Sequence, residues 1–121
     1  IGDYPLGRRV DLMLGGGRCY FLPNNTEGSC RPDTRDALSE AQKAGFHYLS
    51  TREEFDKLDN TSHSIPLLGL FTLDHMSYEI DRDATKEPSL GEMSEKALKI
   101  LEAQTANSDK GFFLMIEGSR I

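Results

Sequence analysis

Phe112 to Ile116 is a run of five consecutive apolar residues followed directly by Glu117. Such a run does not alternate inside and outside, so as a strand it predicts cover on both faces. Three other short and mostly apolar runs also read as strands: Val10 to Leu14, Phe46 to Leu49, and Ile65 to Phe71 with Pro66 at its start, where a missing amide costs least. Helical spacing separates them. Between Asp33 and Ala44 the residues Ala37, Leu38, Ala41 and Ala44 form a modest stripe, with Asp33 placed to cap its start and Gly45 its end. Thr51 with Glu54, and Ser89 with Glu92 after Pro88, fit the capping box, in which a hydroxyl and a carboxylate satisfy free amides reciprocally. The first box opens a short helix carrying Phe55 and Leu58. The second opens a longer one, to about Gln104, with Leu90, Met93, Ala97, Ile100 and Leu101 on one face. Its Ala97, Leu98 and neighbours are expected to lie on a sheet, and Glu92, Glu95, Lys96, Lys99 and Glu102 to face water. The alternation β-α-β-α-β-α-β with short connections predicts an α/β unit built on a parallel sheet covered by helices on both faces.

The 121 residues fit one domain, residues 1–121, with no internal repeat. Twenty acidic residues against fourteen basic ones give a net charge of −6 and no cluster of Lys or Arg interleaved with aromatics, so no nucleic-acid partner is expected. No apolar stretch approaches the roughly 20 residues that span a bilayer. Gly15-Gly16-Gly17 closes the first strand as a structural turn and lacks the third glycine opening a helix that a dinucleotide fingerprint requires. No serine stands in a Gly-x-Ser-x-Gly elbow, which leaves a serine-hydrolase triad unsupported.

Cys19 and Cys30 are the only cysteines and match neither a zinc ribbon nor a Cys-x-x-Cys redox motif; they form a loop disulfide or remain two thiols. Asn24-Asn-Thr26 and Asn60-Thr-Ser62 match the N-glycosylation acceptor pattern in predicted loops. Together with a disulfide they point to a secretory route. His75, Glu79, Asp81, Arg82 and Asp83 form a polar cluster, while His47 and His63 stand apart; the spacing fits no standard zinc motif, and a loop held by ion pairs is the expectation. Glu117 lies at the carboxyl end of its strand, where ligand sites of open α/β sheets gather, or else marks a solvated strand exit.

Three ordered blocks carry a family resemblance. They are Val10-Asp-Leu-Met-Leu-Gly-Gly-Gly-Arg18; Leu68-Gly-Leu-Phe71 through His75-Met-Ser-Tyr-Glu-Ile-Asp-Arg82 to Glu87-Pro-Ser-Leu90; and the closing Met115-Ile-Glu-Gly-Ser-Arg-Ile121. Together they resemble the alkaline phosphatases, and the fungal vacuolar branch in particular. The resemblance implies an alkaline-phosphatase-like three-layer αβα sandwich with a mostly parallel sheet, of which this chain is an internal piece. It implies a parent enzyme that hydrolyses phosphate monoesters with zinc and magnesium around a serine nucleophile. The parent is expected to be a homodimer on a secretory or vacuolar route, with any membrane anchor outside this segment.

The nucleophile, the phosphate-gripping arginine and the first metal-binding aspartate of that family lie upstream of the resembling region, so no catalytic residue is expected here. Beyond the signature the family continues to an Asp and a His that bind zinc. The resemblance makes Glu117 the magnesium-binding carboxylate, a hard oxygen donor of the kind magnesium prefers. A single ligand does not hold the ion, so the isolated chain is expected to be inactive and to bind magnesium negligibly. Animal members also carry a calcium site. Glu87 and the Phe71 carbonyl stand at matching positions, but Thr72 replaces a carboxylate and Cys30 falls near another expected acid, which weakens that assignment. The alternative from a different class is a noncatalytic α/β ligand-binding or interaction domain that keeps the scaffold without the chemistry.

Overall fold

The structure, a computed structural model, describes residues 10–61 and 64–119. Three parallel strands form its sheet: β1 (Leu12–Gly15), β2 (His47–Leu49) and β3 (Leu67–Leu70), in the order β1-β3-β2. β3 is therefore central. Leu12 is in register with Leu67 on one side and His47 with Leu67 on the other. All four residues of β3 are buried, and since successive side chains point to opposite faces, both faces of the central strand are covered. This is the α/β architecture on a parallel sheet that the alternation predicts. Gly69 serves a close approach, because a Cβ there would lie 2.7 Å from Leu14 Cδ2 and 2.8 Å from Phe71 Cζ.

The helices are α1 (Ala37–Lys43), α2 (Arg52–Lys57) and α3 (Leu90–Thr105), with short 3₁₀ turns at Arg18–Phe21 and Glu79–Asp81. Both predicted capping boxes are present. Thr51 Oγ1 accepts from the Glu54 amide and Ser89 Oγ from the Glu92 amide, while each glutamate accepts from the amide of its own cap residue. Each cap of this kind stabilises by about 1 kcal/mol. One apolar core holds the helices to the sheet: Leu49, Phe55, Leu58, Leu67, Phe71, Met93 and Ile100, with Leu12, Leu14, Ile65 and Met76 packed against it. Phe55 meets Phe71 edge to face at 5.5 Å, and Lys96 Nζ lies 5.1 Å from the Phe55 ring centre.

Four expectations are corrected. α1 begins at Ala37 and its cap is Asp36, whose carboxylate accepts from the Ser39 amide. Asp33 is engaged instead by a bidentate hydrogen bond from Arg31, at 2.7 and 2.8 Å, which removes it from capping. On α3 the buried residues are Met93, Ala97, Ile100 and Leu101. Leu98 falls one position off that stripe, about 100° around the helix, and is 44% exposed. Two of the residues expected in water are half-buried against other elements: Lys96 donates to the Leu58 carbonyl and Glu92 binds Arg52.

The fourth correction concerns the terminal run. Phe112 to Ile116 forms no strand, and Phe113 and Met115 are 89% and 78% exposed. A strand exists only where a neighbour pairs its backbone, and the strand this segment faces, β1, stands across a cleft that both line. Apolar composition reports a need for cover, not the neighbour that supplies it.

Candidate functional site

In a parallel sheet all strands end on one side, so the loops that follow them meet. The chain leaving β1 is laced onto the chain leaving β3. The amides of Gly17, Arg18 and Cys19 donate to the carbonyls of Asp74, Thr72 and Leu73 at 2.6, 3.1 and 2.7 Å. Gly17 has φ of 80°, and a Cβ on Gly16 would lie 2.3 Å from Thr72 Oγ1 and 2.4 Å from the Asp74 carbonyl oxygen. The triple glycine is thus the turn that lets these two loops touch. Cys19, fully buried, is joined to Cys30 with Cα atoms 5.0 Å apart, and the Cys30 amide donates to the Cys19 carbonyl. A bridge across a separation of 11 residues stabilises by about 3 kcal/mol, chiefly by restricting the unfolded chain.

An open cleft of about 730 Å³ lies between β1, α3 and the segment 111–117. Val10, Leu12, Leu14, Met93, Ala97 and Leu101 supply its apolar wall, and Glu117 is part of the opposite lining. Glu117 is exposed and makes no ion pair among the described residues. Its carboxylate is of the right kind for magnesium. Among the described residues, however, no three His, Cys, Asp or Glu side chains are grouped to hold a metal ion. The donors among the described residues do not by themselves constitute a magnesium or zinc centre.

The other candidate positions serve local structure. Glu87 accepts from the amide and hydroxyl of Ser77 at 3.0 and 2.8 Å, which engages both carboxylate oxygens, and Phe71 is buried against Phe55 with its amide bonded to Gly15. In the cluster around residue 80, Arg82 bridges Glu79, at 2.7 Å, and the Glu87 carbonyl, at 3.0 Å. That hydrogen bond from Arg82 holds the Glu79 carboxyl below the usual carboxylate range. Asp83 is held by Thr85 and Lys86 in the same way. His47 and His75 are exposed. Asn24 and Asn60 are exposed in loops; Ser62, His63, Arg120 and Ile121 lie outside the described residues.

One ionic site was not anticipated. Arg52, the first residue of α2, donates through both terminal nitrogens to Glu92 at 2.8 and 2.7 Å and through Nε to Asp56 at 2.9 Å. The capping glutamate of α3 thereby ties α2 to α3. The Arg52 hydrogen bonds, then the Ser89 amide, lower the Glu92 pKa from 4.5 to about 2. The spacing within the capping box made Glu92 legible, but its partner lies 40 residues away and no local pattern connects them. Because the folded pKa is depressed, the carboxylate contributes stability above pH 4.5 and loses it as pH falls towards 2. Its side chain is 40% exposed, so solvent screens the pair and the contribution is modest. Glu92→Gln is expected to keep the cap, lose up to about 1 kcal/mol at neutral pH and flatten the acid limb of stability. Urea midpoints measured from pH 6 down to 2 test this; an unchanged acid limb contradicts it.

The chain's relationships agree with this architecture. The family model for alkaline phosphatase matches residues 1–121. An alkaline phosphatase of Schizosaccharomyces pombe is 51% identical over 123 residues, covering 100% of this chain and 23% of that protein. The repressible alkaline phosphatase of Saccharomyces cerevisiae is 45% identical over 133 residues, with the same coverage of 100% and 23%. Among solved structures, the alkaline phosphatase of Thermus thermophilus matches with a TM-score of 0.60 and 32% identity, over 80% of this chain and 18% of that one. The chain thus spans about a quarter of the length of these curated relatives, 23% of each. A family model that runs from the first residue to the last, relatives at about half identity and a matching parallel α/β unit lead to one conclusion: the chain belongs to the alkaline phosphatase family.

Proposed function

We propose that this chain is an internal segment of a metal-dependent phosphomonoesterase and that Glu117 is its contribution to the active site, as a ligand to magnesium. The observation that carries this reading is family membership over all 121 residues, combined with an exposed carboxylate on the lining of an open cleft. The remaining magnesium ligands, the zinc ligands, the serine nucleophile and the phosphate-binding arginine belong to the rest of the parent chain. The substrate is a phosphate monoester and the parent is a homodimer. Its route is secretory or vacuolar, as the disulfide favours. Among the described residues no helix is long and apolar enough to cross a membrane, and a relative in Bombyx mori is named a membrane-bound alkaline phosphatase.

The test uses the parent-length enzyme. Glu117→Gln preserves the shape of the side chain and removes its charge. Replacing groups that merely support a metal ligand costs about 10–100-fold in affinity or activity, so loss of a ligand is expected to reduce aryl phosphate hydrolysis by at least about 100-fold. Bound magnesium, measured by elemental analysis, should fall while zinc is retained. Full activity with full magnesium content would remove Glu117 from the site. The isolated chain is expected to be inactive; aryl phosphate hydrolysis by it alone, abolished by a chelator, would overturn the segment reading.

A further inference from the structure

We propose that Asn24 is an N-glycosylated residue and that the loop 19–33 is the platform presenting the glycan. The acceptor pattern Asn24-Asn25-Thr26 supplies both groups that oligosaccharide transfer requires, the carboxamide and the hydroxyl two residues on, and all three residues are exposed. The loop beneath them is held from several sides. Thr26 donates its amide to the Pro23 carbonyl at 2.9 Å and Ser29 its amide to Thr26 at 3.1 Å, two successive turns that carry residues 24–26 outward. Ser29 Oγ donates to the Leu22 carbonyl at 2.6 Å, Arg31 donates to the Tyr20 carbonyl at 3.0 Å, and the Cys19–Cys30 bridge closes the base.

The carboxamide geometry is compatible with the modification. Asn24 Nδ2 carries two hydrogens and donates to the Pro32 carbonyl at 3.1 Å, while the Asn24 amide donates to the Asp33 carbonyl at 2.8 Å. In the transfer, Nδ2 forms a bond to the anomeric carbon of a lipid-linked oligosaccharide. The bond from that carbon to the diphosphate oxygen breaks, the lipid diphosphate leaves, and one amide proton passes to the transferase. One hydrogen stays on Nδ2. The hydrogen bond from the Asn24 backbone amide to the Asp33 carbonyl does not involve Nδ2 and is left intact by the transfer. The bridge adds an independent argument, because disulfides persist in the oxidising compartments of the secretory route, where this transfer takes place.

The experiment is peptide mass spectrometry on the parent-length protein from a glycosylating eukaryotic host, after reduction and enzymatic release of N-glycans in heavy-oxygen water. The peptide carrying residue 24 is expected to contain an isotope-marked aspartate at that position. Asn24→Gln and Thr26→Ala should each remove one glycosidase-sensitive step in gel mobility, whereas Thr26→Ser and Asn60→Gln should leave that step in place. An unmarked residue 24 in the wild-type peptide overturns the proposal, whatever the variants do. None of these readouts depends on phosphatase activity, so the result is separable from the catalytic reading.

Discussion

Replacing Gly16 by alanine is expected to destabilise the protein by about 3–5 kcal/mol. A Cβ at this position falls 2.3 Å from Thr72 Oγ1, 2.4 Å from the Asp74 carbonyl oxygen and 3.1 Å from the Met76 amide nitrogen. Two of these three atoms are backbone, so a rotamer change does not relieve the overlap. The chain after β1 has to move away from the chain after β3. Overpacking alone costs typically 1–3 kcal/mol. The displacement also strains the three hydrogen bonds that the amides of Gly17, Arg18 and Cys19 donate to the opposite loop, each contributing about 1 kcal/mol. Urea unfolding compared at constant slope measures the sum. The Gly15→Ala chain is the control, since nothing lies within 4 Å of a Cβ there. Equal losses in the two variants would show that the contact between the loops is not what makes Gly16 necessary.

The second large effect is expected at Ile100→Ala. Ile100 is fully buried in the core that joins α3 to the sheet, so truncation removes transfer energy and leaves a cavity, for about 2–5 kcal/mol. Leu98→Ala, two positions away on a side chain that is 44% exposed, should change stability by no more than about 0.5 kcal/mol. Unfolding midpoints for the pair test the facing of α3 directly. A larger loss at Leu98 than at Ile100 would mean that the helix is rotated from the orientation described above.

What the sequence made legible was whatever depends on neighbours three or four positions away. Both capping boxes and the β1, β2 and β3 runs follow from such local rules, as does the buried stripe Met93, Ala97, Ile100 and Leu101. Asp33 was misread as a cap because Arg31, two residues before it, competes for the same carboxylate. Leu98 was misread because one apolar residue beside a stripe looks like part of it. The crowding at Gly16 and the Arg52–Glu92 pair arise only when distant segments meet. For the candidate site, the chemical type of Glu117 is readable in the sequence, and the role proposed for it rests on the family resemblance. The cleft beside it exists only because α3 and β1 come together.

The placement of β3 between β1 and β2 has a consequence for how the chain is made. Both outer strands precede the central one in the sequence, and Leu12 finds its partner Leu67 only 55 residues later. As the polypeptide leaves the ribosome, neither β1 nor β2 meets its partner β3 until residues 67–70 follow. A nascent chain stopped short of Leu67 therefore contains two strands that cannot pair with each other in the native order. Pairing of these three strands therefore waits on β3, and the edges of β1 and β2 that it covers are open to association until it appears.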